Sequence, residues 1–320
     1  MRSVEDLKVV AFGGGTGLPV LLRGLRDRVG DLTAVVTVAD DGGSSGRLRQ
    51  ELGVAPPGDV RNCLVALAGR RRLAEVFNYR FEAPGDLNDH SVGNIIIAAL
   101  ADMAGGFCEG VEQASQFLRI KGRVFPAAME SLTLVVRYAD GTVTRGESVV
   151  HETGKQASEV AVEPAGVPAP RGVIEALEDA DVIVLAPGSL FTSTIPALLG
   201  GGVRGALEDF TGPVVYVANV MTQQGETGGF TVSDHVRAIS KHVGPVVTDV
   251  LVHAGDLPPG TLARYEAEGA TPVVIDGGSL RKMGLHLTER DLLSSQSSGG
   301  VRHDPGLLAR EVCVAVLVRL

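Results

Sequence analysis

"AFGGGTGLPVLLRGL" (residues 11–25) follows the apolar run that begins at Leu7, and its reading decides the fold. Lys8 to Phe12 has strand composition, and Leu18, Leu21, Leu22 and Leu25 recur at helical spacing. Gly13, Gly14, Gly15, Thr16 and Gly17 lie between the two. "LTAVVTVAD" (32–40) then supplies a second β-branched run, so the chain opens as strand, glycine turn, helix, strand, the βαβ unit. Glycine leaves no Cβ in the way, so such a turn brings backbone N–H groups against an anion at a helix N-terminus. Thr16 adds a hydroxyl for capping or for a phosphate. Leu18 stands where the dinucleotide fingerprint has its third glycine, and no P-loop lysine follows. A phosphate is favoured over any particular dinucleotide.

The alternation continues downstream. Residues 60–120 read mainly as helix, "TLVVRYADGTVTRGESVV" (133–150) reads as a hairpin turning at Asp140-Gly141, and the proline-rich 162–172 reads as a connector. Strands are expected within 181–190, 213–220, 246–254 and 271–277, with a closing helix from about Pro305. The expected fold is α/β: a Rossmann-like, doubly wound, mainly parallel sheet with a helical segment and a β-hairpin insertion. One domain over 1–320 is expected, with the insertion at about 121–172.

Composition narrows the function. Forty-four per cent hydrophobic residues and 21% charged ones make a globular chain able to bury a large core. Net charge −9 and short, interrupted arginine runs argue against a nucleic-acid surface. Cys63, Cys108 and Cys313 have no metal-binding or disulfide spacing and read as free thiols. The opening "MRSVEDLKVV" carries Glu5 and Asp6 and no signal-peptide pattern, and no apolar run approaches a membrane span, so a cytoplasmic location is expected.

Ligands of open parallel sheets bind at the carboxyl ends of the strands, so the residues after each strand carry the chemistry. "DDGGSSGR" (40–47) follows the second strand. Asp40 lies where a ribose-binding carboxylate is expected, and Asp41 beside it is a candidate for Mg²⁺ bridging phosphates. Gly43, Ser44 and Ser45 offer a second run of donors, with Arg47 and Arg49 behind them as anion partners. Asp59 and Arg61 open a helix, where Asp59 also reads as a simple cap. His90, Ser91, Gly93 and Asn94 form a polar start to an apolar helix, a set expected to face a ligand. Pro187, Gly188, Ser189, Thr192 and Ser193 repeat the donor theme, and Asn219, Thr222, Gln223 and Glu226 suit a base or sugar. No HExxH and no cysteine paired with a base is present to mark a hydrolase.

The blocks "GGGTGLPVLLRGL", "TVADDGGSSGRLR", "PPGDVRNCLVALA", "HSVGNIIIAAL", "APGSLFTSTIPALL", "NVMTQQGET" and "RHDP" (302–305), in this order, resemble the CofD-like superfamily and more closely its YvcK branch of gluconeogenesis factors. CofD proteins transfer a phospholactyl group from a nucleotide-activated donor to a deazaflavin alcohol in coenzyme F420 synthesis, with Mg²⁺. YvcK proteins bind UDP-sugars and are associated with cell shape, peptidoglycan synthesis and growth on gluconeogenic carbon sources. The resemblance implies phosphate sites at Gly13–Gly17 and Gly188–Ser189, and matches Asp40 and Asp41 to the acidic pair that serves metal or transfer chemistry in CofD. Residues 44–64 replace the HGL and PDLDT-type segments of the CofD acceptor site, which weighs against deazaflavin transfer. The expectation is a regulator that binds a UDP-sugar or another diphosphate nucleotide. A homo-oligomer and a protein partner in cell-wall synthesis are expected with it. A CofD-type transferase, with Asp40 and Asp41 as catalytic groups, and an NAD-binding protein are the alternatives.

Overall fold

In the computed structural model, residues 3–82, 85–150, 153–257, 260–293, 300–317 and 319 are described. The first unit is β1 (Lys8–Gly13), α1 (Gly17–Leu25) and β2 (Asp31–Val36). Five helices follow: α2 (Gly43–Leu52), α3 (Gly58–Leu67), α4 (Arg71–Asn78), and the hairpin-like pair α5 (Val92–Ala104) and α6 (Phe107–Leu118). Next come β3 (Arg123–Pro126), the small-sheet strands β4 (Thr133–Tyr138), β5 (Val143–Arg145) and β6 (Ala157–Glu163), and then β7 (Val182–Leu185), β8 (Val214–Val217), β9 (Asp249–His253) and β10 (His286–Arg290).

Seven strands form one parallel sheet in the order β10-β9-β8-β7-β1-β2-β3. Its central strands are continuous apolar runs: every residue of β7 and β8 is buried, as is all of β1 and β2 beyond the first position. That pattern belongs to strands covered on both faces by helices. Leu18, Leu21, Leu22 and Leu25 of α1 are fully buried against this sheet. At Gly24 a Cβ would collide with the Pro305 carbonyl, so α1 lies directly against the closing helix Pro305–Leu317.

From β1 the chain builds outward through β2 and β3, and then returns to place β7 on the other side of β1. The gap between the carboxyl ends of β1 and β7 is therefore the switch point of the sheet, the position at which a crevice opens. Phe12 pairs with Leu185, so the turns after these two strands emerge side by side.

Three sequence expectations change. Arg123–Pro126, within the stretch read as an insertion, pairs with β2 and belongs to the large sheet. The small antiparallel sheet, ordered β5-β4-β6, takes up Thr133–Glu163 and does include the hairpin at Asp140-Gly141. Residues 271–277 are not a strand: Pro272 and Val274 make isolated bridges only, and Val274 is 61% exposed. Proline has no N–H for a ladder. The final strand is instead the polar edge segment His286–Arg290.

Candidate functional site

The turn after β1 shows what its glycines do. Gly15 has φ +58°, the left-handed region that glycine enters at least cost. At Gly17 a Cβ would collide with the Pro187 carbonyl, so this glycine lets α1 approach the turn after β7. The Thr16 hydroxyl makes no capping bond, and Thr16 is exposed at the start of α1. Gly15 N donates to Asp59 Oδ2 at 2.7 Å, so one of the amides expected for an anion holds a carboxylate of this chain.

Across the switch point, Gly188 N donates to Asn219 Oδ1 at 2.8 Å and Asn219 Nδ2 donates to the Gly188 carbonyl at 2.6 Å. Gln223 Nε2 donates to Ser189 Oγ at 2.8 Å. Asn219 and Gln223, read as base or sugar contacts, thus brace the turn after β7. Thr222 accepts from Thr271 N at 2.9 Å. Between the two turns lies a pocket of about 410 Å³ lined by Gly15, Thr16, Gly17, Pro187, Gly188, Ser189, Asn219 and Thr222, among others. Gly13 and Gly14 are buried beneath it.

The remaining expected residues gather on the other side of the β1 turn. Asp40 Oδ1 accepts from Gly42 N at 2.9 Å, and Ser45 Oγ accepts from Gly58 N at 3.1 Å while also bonding Asp40. Ser44 Oγ meets His90 Nδ1 and Asn94 Nδ2, each at 3.1 Å. Arg61 is buried, with Nη1 donating to Ser91 Oγ and Nη2 to Asn62 Oδ1. His90 and Asn94, expected to face a ligand, are thereby tied to α2, and Gly43 lies exposed at its start. Thr192 and Ser193 lie in a π-helical turn, Leu190–Thr194. Thr192 is fully buried there, donating to Glu226 Oε1 at 3.3 Å, while Glu226 Oε2 accepts from Phe191 N.

Electrostatically this second region is acidic. Burial, with repulsion from Asp40, raises Asp59 to about 6 against the pull of Gly15 N and Arg61. Burial also raises Asp40. Glu147, from the loop after β5, reaches Thr192 and is pushed up to about 9 by burial and by the charges of Asp40, Asp59 and Glu226. Asp41, whose charge also acts on Asp40, accepts from Ser148 N through Oδ1 at 2.8 Å, on the small-sheet side. Among the described residues no group of three or more His, Cys, Asp or Glu side chains is arranged around a common metal position.

Sequence reading missed Glu147 and, in the pocket, Tyr265, Val301, Arg302 and His303. "RHDP" was one of the resembling blocks, which was the available signal for the last two. Tyr265 Oη accepts from Val301 N at 3.0 Å and so fixes the wall opposite the glycine turns. No helix among the described residues is long and apolar enough to cross a membrane.

The model of the family described as 2-phospho-L-lactate transferase CofD matches residues 9–293. The chain belongs to the CofD family. Within the family its relatives are gluconeogenesis factors: that of Halalkalibacterium halodurans is 44% identical over 311 residues, covering 97% of this chain and 96% of the relative. That of Bacillus subtilis is 43% identical over 299 residues, covering 93% and 94%. A crystal structure of a Bacillus halodurans member of the UPF0052 family superposes with a TM-score of 0.92 at 43% identity, covering 98% of this chain and all of that one. The α/β architecture read from this CofD-family sequence is thus shared with a solved relative.

Proposed function

We propose that this CofD-family chain is a cytoplasmic regulatory protein of the gluconeogenesis-factor type, which binds a UDP-sugar and releases it unchanged. One observation carries the reading: the glycine turns after β1 and β7 meet across the switch point and wall a pocket of about 410 Å³. A pocket of that size suits a nucleotide-sized ligand. Thr16 at the start of α1 and Ser189 across the pocket are placed for a diphosphate, with backbone and hydroxyl donors that a phosphate charge strengthens. The Tyr265 ring on the far wall suits a base. The kinship with gluconeogenesis factors supports a role in growth on gluconeogenic carbon.

Isothermal titration with UDP-glucose, UDP-N-acetylglucosamine, UMP, GDP and NAD tests the assignment. UDP-sugars are expected to bind more tightly than GDP or NAD, and UMP more weakly than UDP. Preference for NAD or GDP refutes it. A second reading, transfer of a phosphorus-containing group, draws on the CofD family model and on the Asp59 carboxyl near 6, a value suited to proton transfer. Chromatography of the nucleotide after long incubation, with and without phospholactyl donor, deazaflavin acceptor and Mg²⁺, separates the two: turnover replaces the regulator with an enzyme.

A further inference from the structure

A second cluster of polar side chains, outside the glycine-turn pocket, surrounds the start of α5. Arg61 of α3 is only 5% exposed, yet its guanidinium makes no salt bridge with a described residue. Nη1 donates to Ser91 Oγ at 2.9 Å and Nη2 to Asn62 Oδ1 at 2.6 Å, while Nε is buried with no partner. Burial and the charge of Arg80 lower its pKa to about 10, against the pull of Asp59. Asp59, two residues earlier on α3, is itself engaged by Gly15 N. A buried cation with no counter-charge in contact is costly to keep, and an anion bound beside it offsets that cost.

Arg61 reaches a helix start that lacks a cap of its own. Ser91 is the N-cap of α5, but its hydroxyl donates to the Phe77 carbonyl and accepts from Arg61, and makes no capping bond. Gly93 N and Asn94 N have no partner within the helix and find none among the other described residues. The stem of Arg61 lies on this first turn: a Cβ at Gly93 would stand 2.9 Å from Arg61 Cγ and Cδ. Asn94, 1% exposed and three residues beyond Ser91, shares its face of the helix. Asn94 Nδ2 donates to Ser44 Oγ at 3.1 Å, so the single Ser44 proton goes to His90 Nδ1, also at 3.1 Å. Asn94 Oδ1 is left buried with no donor. Ser44 belongs to the first turn of α2, whose N-cap Gly42 likewise supplies no side-chain cap. The positive ends of two helices thus meet beside a buried guanidinium.

These groups are selective about what they hold. Orphan amides and an unpaired guanidinium call for acceptor oxygens that carry negative charge, while Asn94 Oδ1 calls for a donor. A phosphate group meets both demands near neutral pH, because hydrogen phosphate keeps a P–OH and a phosphate monoester brings hydroxyls on its carbon skeleton. Sulfate has the same shape and no proton to give. We propose that Arg61, the first amides of α5 and Asn94 hold a phosphate group, free or as the monoester of a hydroxyl-bearing small molecule, at a site separate from the glycine-turn pocket. None of Arg61, Ser91, Asn94, Ser44 and His90 lines that pocket, so the inference stands apart from the UDP-sugar reading.

Crystals of the intact protein soaked in arsenate, a phosphate analogue that keeps its proton and scatters anomalously, locate the site. A peak within hydrogen-bond reach of Arg61 and Gly93 N is expected, and no peak there, or peaks only in the glycine-turn pocket, overturns the proposal. Isothermal titration with inorganic phosphate, glycerol 1-phosphate and sulfate reads the occupant in solution. The extra bond to Asn94 Oδ1 predicts that at least one phosphate binds about tenfold more tightly than sulfate. Tighter glycerol 1-phosphate assigns a monoester, and tighter inorganic phosphate the free ion. Arg61→Gln should abolish the preference for phosphate over sulfate, and Asn94→Asp, which sets a carboxylate against the anion, should weaken phosphate binding at least about tenfold. Circular dichroism verifies that the variants fold. If Arg61→Gln does not, Asn94→Asp and the arsenate map decide the matter. Sulfate bound as tightly as both phosphates, or phosphate bound unchanged by folded Asn94→Asp, overturns the proposal.

Discussion

Replacing Asp59 by Asn should stabilise the protein near neutral pH, although it alters a residue at the centre of the candidate site. Asp59 is desolvated, faces Asp40, and holds Gly15 N at 2.7 Å. Its carboxyl is raised from 3.8 to about 6 on folding. A carboxyl raised in the folded state contributes stability that is fully present below 3.8 and is lost as the pH rises through 6. Converted at about 1.4 kcal/mol per pH unit, its ionisation removes about 3 kcal/mol at pH 7.5 and about 1 kcal/mol at pH 4.5. Asn keeps an oxygen for Gly15 N and carries no charge, so the variant escapes that loss. The gain of Asp59→Asn over the parent should therefore be larger at pH 7.5 than at pH 4.5 by about 2 kcal/mol. Urea denaturation of both proteins at the two pH values measures this, and the double difference cancels every other titrating group that the substitution leaves alone. A gain that is equal at the two pH values, or a loss at pH 7.5, would refute the picture of an ionised, uncompensated Asp59.

His303 should behave in the opposite sense. Burial, with the neighbouring His253, lowers it from 6.5 to about 4, so its contribution is present above 6.5 and is lost as the pH falls towards 4. His303→Gln should flatten the acid limb of stability between those values by up to about 3 kcal/mol, and an unchanged limb in urea melts at stepped pH would count against it. Gly17→Ala should cost about 2–4 kcal/mol, because its Cβ meets the Pro187 backbone, whereas Gly15→Ala has open space and should cost only the left-handed penalty of about 1–2 kcal/mol. Thermal melts rank the two, and equal losses would contradict the close approach of α1 to the β7 turn.

Where burial on both faces writes itself into composition, the sequence is readable. Lys8–Gly13, Val182–Leu185 and Val214–Val217 are apolar, β-branched runs and become central strands. His286–Arg290 is a partly exposed edge strand with ordinary polar composition, and nothing local separates it from a loop. The loops after the strands were equally visible as places, while the partners of their side chains were not. Thr192 looks like a donor facing out, but the π-helical turn buries it against Glu226. Asp59 looks like a helix cap, and its bond is to Gly15, 44 residues away in sequence. Tyr265 and Arg302 come to the pocket from separate segments, so no local pattern could join them to the glycine turns.

The small antiparallel sheet gives the molecule something that parallel strands lack. The halves of the large sheet diverge from β1, and among the described residues no strand of that sheet ties the loops of one half to those of the other. Ser148 N, in the loop after β5, is held by Asp41 after β2, while Ala157 N donates to the Gly225 carbonyl and Gln156 Nε2 to the Gly228 carbonyl after β8. Glu147 reaches the turn after β7 from the same loop. The appended sheet is thus a crossbeam between the two banks of the crevice, and it sets the spacing of turns that face one another across it.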